Sequence, residues 1–193
     1  EANLIRQGGR EFCFEIDEQV ISGQDNWILE RIKPAGDDHD GSGAVMVLKR
    51  KGTPKLLLEI TYLLYPDLPV IRKKLTIQNI GEKDMKLESV DIEHLTFFGA
   101  HRRCYTKRHY GRVKHAGPML GDWHDPAVIL HHVDEKRGLV LGNEAPGITK
   151  RTSAFLDGKS FTIGLTHKDQ KYPFRKWLKP GERWESPWTF LCL

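Results

Sequence analysis

The chain has 193 residues, 39% of them hydrophobic, and a formal net charge of only +4. A chain of this length can bury the core of one all-β domain, which is the organisation that we expect for residues 1–193. The sequence contains no signal peptide and no apolar run of about 18 residues, so it predicts no membrane-spanning helix and no membrane partner. An apolar strand reaches the last residue, which favours a segment of a longer polypeptide.

The three cysteines, Cys13, Cys104 and Cys192, are an odd number and lack CxxC spacing. This pattern predicts no disulfide framework. Cys13 and Cys192 lie in strand patterns, where we expect buried thiols that pack as small hydrophobic side chains.

The N-terminal third reads as a series of strands. In residues 11–16, Phe12 and Phe14 alternate with Glu11, Cys13 and Glu15, and this period of two predicts a half-buried strand. By the same rule, strands are predicted near 20–22, over 27–33 ending at Pro34, over 43–50 and over 55–65.

Residues 34–43 form a polar segment rich in Asp and Gly. Asp37, Asp38 and Asp40 have the oxygen ligands that calcium prefers, but the EF-hand register is absent. A solvated loop is therefore favoured over a calcium site.

The pattern of residues 62–95 predicts the fold most clearly. A turn at 66–69 separates two strands, and in the second Leu75 and Ile77 lie on the opposite face from their polar neighbours. Residues 79–82 have hairpin chemistry, and another strand is predicted over 85–93. In that strand the apolar parity changes between Leu87 and Val90, which predicts a bulge near Ser89.

After Leu95 the regular pattern fails, and residues 97–126 are predicted to form one long loop excursion. Within it, residues 101–115 hold six Lys or Arg and no acid, and removing these six leaves 24 basic against 26 acidic residues. An acidic partner, an inter-domain surface and a solvated loop all remain open. A nucleic-acid partner is not expected, because the overall charge is low and no known module is present.

Strands return over 127–132, 139–142, 148–156 and 161–166, and residues 177–190 close the chain around a turn at 179–182. No helix of three turns is suggested. A dozen or more strands in antiparallel hairpins predict an all-β fold, a large two-sheet antiparallel β-sandwich.

The segment 121–126, GDWHDP, is the first candidate site. Trp123 offers an apolar face for sugar C–H groups, while Asp122, His124 and Asp125 offer hydrogen-bonding groups for hydroxyls. The alternative is that Trp123 plugs the edge of the sandwich. Asp122 and Asp125 are too close in one loop to flank a glycosidic bond from opposite sides, so we expect binding or structural roles and no catalytic residue.

Three further residues are candidates for carbohydrate binding. Asn143 and Glu144 follow a strand, where a side chain can reach a neighbour or simply stabilise a turn, and Trp177 is the third. No cofactor and no metal site are predicted, because His101, Cys104, His109 and His115 lack known zinc spacing.

Four segments resemble the N-terminal β-supersandwich of glycoside hydrolase family 36, the α-galactosidase group. They are residues 65–95, YPDLPVIRKKLTIQNIGEKDMKLESVDIEHL; 121–132, GDWHDPAVILHH; 138–152, GLVLGNEAPGITKRT; and 162–191, TIGLTHKDQKYPFRKWLKPGERWESPWTFL. The resemblance implies a supersandwich fold that is also similar to galactose mutarotase. It further implies that the catalytic aspartates belong to a following (β/α)₈ barrel and are absent from these residues.

The resemblance therefore implies a non-catalytic domain that supports a barrel, lines its galactoside site with a loop and contacts other subunits in a homo-oligomer. Two alternatives are an independent carbohydrate-binding module and an aldose epimerase. An epimerase similar to galactose mutarotase needs a catalytic His and Glu, and the sequence does not assign these roles to His94, His131 or Glu144. A periplasmic or extracellular location is favoured for a carbohydrate-degrading protein, although the cysteines leave the compartment open.

Overall fold

The computed structural model describes residues 9–96, 102–108, 111–115, 117–121, 125–132 and 136–192. Seventeen strands lie in these residues, numbered here in chain order. The first nine are β1 (Glu11–Ile16), β2 (Gln19–Ser22), β3 (Trp27–Gly36), β4 (Ser42–Arg50), β5 (Leu56–Tyr65), β6 (Leu68–Asn79), β7 (Met85–Thr96), β8 (Arg102–Arg108) and β9 (Gly111–His115). The others are β10 (Met119–Gly121), β11 (Ala127–His132), β12 (Arg137–Asn143), β13 (Lys150–Ala154), β14 (Ser160–Leu165), β15 (Arg175–Leu178), β16 (Arg183–Glu185) and β17 (Thr189–Cys192).

The strands form two antiparallel sheets that pack face to face, which confirms the predicted sandwich. The seven-stranded sheet has the order β10-β13-β14-β7-β1-β2, with β15 paired to β7. The ten-stranded sheet has the order β3-β4-β5-β6-β17-β12-β11-β8-β9, with β16 paired to β6. One 3₁₀ turn, Gly147–Thr149, is the only helical element among the described residues. None of these residues belongs to a helix long and apolar enough to cross a membrane.

The hydrophobic core lies between the sheets, because each strand turns its apolar residues inward. Phe12 and Phe14 of β1 stack with their ring centroids 5.8 Å apart. They belong to a main cluster with Leu75 and Ile77 of β6, all almost fully buried, and Trp184 packs against its edge. A smaller cluster around Leu130, Leu141 and Phe161 fills the other end of the sandwich. Cys13 is buried and Cys192 half-buried, and both thiols are free.

Strand β7 contains two irregularities. Ser89 has φ of 51° and the pairing of β7 with β1 shifts register beside it, which confirms the predicted bulge. The second shift lies at Ile92, since Gly164 pairs with Asp91 while Ile163 pairs with Glu93. Asp91 and Glu93 are two residues apart and would share a face in a regular strand, but the bulge turns Asp91 outward and Glu93 toward the core.

Glu93 belongs to a charged network between the sheets, which we call the Lys73 network. The Lys73 ammonium, on a side chain only 1% exposed, donates to Glu11 Oε1 at 2.6 Å and to Glu93 Oε2 at 3.1 Å. It also donates to the backbone oxygen of Glu11 at 2.8 Å. Tyr62 donates to Glu11, and Thr189 donates to Glu93 Oε1 at 3.1 Å. Because Lys73, Tyr62 and Thr189 lie in the ten-stranded sheet and the two glutamates in the other, the network ties the sheets together.

Strand β17 occupies the middle of the ten-stranded sheet. It pairs with β6 on one side and with β12 on the other. The preceding turn passes between the sheets, because β15 pairs with β7 whereas β16 pairs with β6. The last described strands therefore complete both sheets.

The structure corrects the sequence-based prediction in two places. Pro34 was expected to end a strand, but β3 continues to Gly36, which an edge strand tolerates because its outer side needs no hydrogen-bond donor. The long excursion predicted over 97–126 is also wrong, since it contains β8, β9 and β10. Strands β8 and β9 form a hairpin at the edge of the ten-stranded sheet, where basic residues are common and hide the apolar alternation.

Candidate functional site

The predicted sugar-binding loop connects the two sheets. Asp122, Trp123 and His124 lie outside the described residues, but both flanks are positioned. Gly121 pairs with Thr152 at the edge of the seven-stranded sheet, and β11 begins at Ala127 in the ten-stranded sheet. A Cβ atom on Gly121 would lie 3.2 Å from Asp125 Oδ2, so glycine at this position permits the close approach of the two flanks.

Asp125 and Asn143 lie together beside this loop. Asp125 is fully buried, and the Asn143 backbone N–H donates to the Pro126 oxygen at 2.8 Å. The Asn143 side chain, 3% exposed, donates to the backbone oxygens of Arg151 and Gly164, at 3.1 and 2.8 Å. Its Oδ1 accepts from the Ala145 N–H at 2.9 Å. These contacts use both amide donors of Asn143 and favour a structural role at the start of the turn.

Glu144 is exposed and paired with an arginine. Arg72 Nε donates to Glu144 Oε1 at 3.0 Å and Nη2 to Oε2 at 2.6 Å, a bidentate arrangement. The Glu144 backbone N–H donates to the Trp188 oxygen at 3.0 Å, and the Arg72 guanidinium lies 4.6 Å from the Trp188 ring centroid. The pair is separated by 72 residues in the sequence, so sequence reasoning did not identify Arg72 or Trp188 as partners of Glu144.

Tyr65 and Asp37 extend this surface network. Arg72 Nη1 donates to the Tyr65 hydroxyl at 3.1 Å, and Tyr65 donates to Asp37 Oδ2 at 2.6 Å. The hydrogen bond from Tyr65 holds the pKa of Asp37 below its ordinary value. Asp37 Oδ1 accepts from the N–H groups of His39 and Gly41, both at 2.9 Å. One oxygen of Asp37 thus binds the backbone of its own loop. No group of three potential metal ligands occurs among the described residues.

Trp177 lies on the other sheet. It pairs with Lys86 of β7 and is 60% exposed. Its side chain lies on the same outer face as that of Arg175, whose Nε donates to Glu88 at 2.7 Å. The structure therefore brings Asp125, Asn143 and Glu144 to one end of β11 and β12, and places Trp177 separately on the outer face of the seven-stranded sheet.

The sequence matches no protein-family model and no curated protein. Solved structures with the same fold include an α-galactosidase variant, AgaA of family GH36 from Geobacillus stearothermophilus, in complex with raffinose. AgaA is 14% identical to this chain, with a TM-score of 0.68, and the match covers 94% of this chain and 29% of AgaA. The α-galactosidase from Lactobacillus brevis is also 14% identical, with a TM-score of 0.74, over 94% of this chain and 28% of that one.

The match to a third similar structure covers a larger share of that structure's chain. The Slr1438 protein from Synechocystis sp. PCC 6803 is 10% identical with a TM-score of 0.54, and the match covers 95% of this chain and 73% of that one. The chain thus spans less than a third of the α-galactosidases and about three quarters of Slr1438. At these identities the likeness establishes the fold, a β-sandwich that the resemblance implied.

Proposed function

We propose that the chain is a non-catalytic β-sandwich domain of an α-galactosidase-like glycoside hydrolase. In this function it supports a following barrel domain that performs catalysis. The observation that carries the proposal is the proportion of the match: 94% of this chain corresponds to 28–29% of two α-galactosidases. The larger remainder of such an enzyme has room for the barrel, where the resemblance places the catalytic aspartates.

The assignment of the sugar-binding loop is part of this proposal. Residues 122–124 connect β10 in one sheet to β11 in the other, and Asp125 and Asn143 fix the end of that connection. A loop held at both ends by the two sheets can present Trp123 to a neighbouring domain at a low cost in conformational entropy. Trp123, with Asp122 and His124, would then line the galactoside site of the barrel.

The isolated chain provides the direct test. We expect no hydrolysis of an aryl α-galactoside above the uncatalysed background, with an intact α-galactosidase as the positive control. Turnover that co-purifies with the folded chain would overturn the proposal.

The loop assignment is tested in the intact protein with its following domain. We expect Trp123→Ala to raise the KM for an aryl α-galactoside about two- to tenfold, because an aromatic contact contributes about 0.5–1.5 kcal/mol. Trp177→Ala is the matched control, since Trp177 lies on β15, apart from both flanks of the loop, and we expect it to leave KM unchanged. Equal effects of the two substitutions would contradict the loop assignment. Sedimentation of the same protein would test for a homo-oligomer.

The match to Slr1438 favours a second candidate, an independent carbohydrate-binding module, because there the sandwich accounts for most of a chain. Titration of the isolated chain with galactose or raffinose, followed by tryptophan fluorescence, tests this function. A saturable response without hydrolysis would support the module, and no response at millimolar sugar would count against it. An aldose epimerase would instead accelerate mutarotation in a polarimeter and lose this activity in the His124→Ala or Glu144→Gln variant.

A further inference from the structure

A cleft of about 520 Å³ lies on the outer face of the seven-stranded sheet. Its floor contains outward-facing residues of three strands: Cys13 in β1, Asp91 in β7 and Arg151 in β13. Between Arg151 and Asp91 lies Gly164 of β14, which pairs with both. A Cβ atom on Gly164 would lie 2.0 Å from the Val90 oxygen, so this position requires glycine. We call this depression the Asp91 cleft.

A fixed set of polar groups lines the floor. Arg151 reaches across Gly164 and donates from Nη1 to Asp91 Oδ1 at 3.0 Å and to Thr162 Oγ1 at 2.7 Å. His167 Nε2 lies 3.0 Å from the same Asp91 oxygen. Asp91 is 4% and Arg151 8% exposed, so both side chains are held in place before any ligand arrives. Preorganised polar groups of this kind orient a bound molecule at a low entropic cost.

His94 also lines the cleft and adds an uncharged polar group. Its Nδ1 atom is buried and has no hydrogen-bond partner among the described residues, and such an atom is often satisfied by a water molecule or a ligand. Burial lowers the pKa of His94, although the nearby Asp91 opposes this shift. At neutral pH the ring therefore presents hydrogen-bonding capacity without a charge.

Two of the basic residues in the cleft are paired with carboxylates. Arg151 is paired with Asp91, and Lys168 with Glu15. Although burial opposes the shift, hydrogen bonds from Ser160 lower the pKa of Asp157 to about 2, so this carboxylate stays ionised. The lining as a whole has three basic residues, Arg10, Arg151 and Lys168, and four acidic ones, Glu15, Asp91, Asp157 and Asp169. An anionic ligand such as a phosphate ester would meet no positive potential here.

The rim supplies apolar contact. Leu156 and Val20 line the cleft and are 55% and 56% exposed. Apolar surface beside convergent donors and acceptors is the composition of sites for small molecules that carry both C–H faces and hydroxyl groups, and the volume lies in the usual range of about 300–1,000 Å³.

From this geometry we infer that the Asp91 cleft binds a neutral polyhydroxylated molecule with the dimensions of a sugar ring. Asp91, Thr162 and His94 supply the hydrogen bonds and Leu156 contacts the C–H face. The inference holds whether or not a barrel follows the chain.

The test is a titration of the ¹⁵N-labelled chain with D-galactose, with D-glucose and with galactose 6-phosphate, followed by NMR. We expect saturable shifts of the Asp91, Thr162 and Gly164 amides and of the His94 ring with at least one neutral sugar. The phosphate ester should bind more weakly than galactose. Absence of saturable shifts, shifts confined to other surfaces, or tighter binding of the phosphate ester would each overturn the inference.

Substitutions locate the site independently. Asp91→Asn should weaken binding about tenfold, since a hydrogen bond to a charged group contributes about 1.5 kcal/mol. In case this variant folds poorly, Leu156→Ala changes only an exposed side chain and should weaken binding severalfold. Leu68→Ala, at a leucine 59% exposed on the other sheet, is the matched control. Equal affinities of the two leucine variants would contradict the placement of the ligand.

Discussion

Two charged clusters lie on opposite sides of one strand, and they differ in whether they are closed. In the Lys73 network, the ammonium contacts two carboxylates and a backbone oxygen between the sheets, and Thr189 binds the inner glutamate. In the Asp91 cleft, Arg151 and Asp91 are almost as deeply buried, but one side of the cluster opens to solvent. The difference teaches that burial alone does not distinguish a structural ion pair from a binding site. A closed cluster can only stabilise the fold, whereas an open one can also bind a ligand.

The largest expected effect comes from breaking the closed cluster. Lys73→Met leaves the carboxylates of Glu11 and Glu93 without their cation, and loss of one partner of a buried pair costs about 3–5 kcal/mol. Lys74→Met is the matched control, because the adjacent Lys74 points outward to Glu185, whose side chain is 59% exposed. An exposed pair contributes about 1 kcal/mol or less. Urea denaturation at pH 7 measures both free energies of unfolding, and similar losses in the two variants would contradict the comparison.

Disrupting the Asp91 cleft should reduce the free energy of unfolding less than disrupting the Lys73 network. Asp91→Asn keeps the shape of the side chain but weakens its hydrogen bonds with Arg151 and His167, and we expect a loss of about 1–3 kcal/mol in the free energy of unfolding. Asp84→Asn, at an exposed turn residue, should change it little. A loss for Asp91→Asn that equals the loss for Lys73→Met would show that the cleft is as closed as the inner network.

The pH dependence of stability sharpens the contrast. Burial raises the pKa of Glu93 above 4.5, and the charge of Glu11 adds to this shift although Lys73 opposes it. The folded state therefore binds this proton more readily than the unfolded state does. Its contribution to stability is fully present below pH 4.5 and is lost as pH rises through the raised pKa. The pKa of Glu11 is lowered, mainly by the charge of Lys73 acting against burial, so its contribution is lost as pH falls below 4.5.

We therefore expect the wild-type chain to gain stability relative to Glu93→Gln as pH falls from 8 to 5, by an amount on the order of 1 kcal/mol. Urea denaturation at several pH values, in parallel for the two proteins, measures this difference. A difference that does not change with pH would contradict the raised pKa.

The smallest effect on stability is expected on the outer face beyond the cleft. Trp177→Ala removes a side chain that is 60% exposed and should change the free energy of unfolding by less than about 0.5 kcal/mol. Trp184→Ala is the contrasting variant, because Trp184 packs on the main core and on Phe174, with ring centroids 5.2 Å apart. Thermal denaturation distinguishes the two, and a large loss for Trp177→Ala would show that its face is covered in solution.

Strand β7 shows what the sequence could and could not predict. The bulge at Ser89 was visible because apolar residues lie on both sides of it and change parity. The bulge at Ile92 was hidden because the residue that it turns inward is a glutamate, and a polar inward residue leaves no mark in the apolar pattern. The strand itself was therefore predictable, but the division of Asp91 and Glu93 between its opposite faces was not.

The remaining misses have related causes. Strands β8 and β9 are rich in Lys and Arg, so an edge hairpin looked like an irregular loop. Trp184, Trp188 and Phe190 have the same parity in the sequence, but a break at Ser186 and Pro187 separates Trp188 from β16, and Trp188 lies beneath Arg72. The ion pairs of Asp91 and Glu144 join residues 60 and 72 positions apart. Only the sheet pairing determines such contacts, and a single sequence does not contain it.

The position of β17 has a consequence for how the protein is made. The four residues of β17 lie between β6 and β12, so they join an N-terminal group of strands to a later group within one sheet. On the ribosome, β3 to β6 can form early, yet the open side of β6 has no partner until β16 and β17, in residues 183–192, emerge. Residues 183–192 must therefore have been synthesised before the ten-stranded sheet can close, and chaperones that shield exposed backbone during this interval should improve the yield of folded protein.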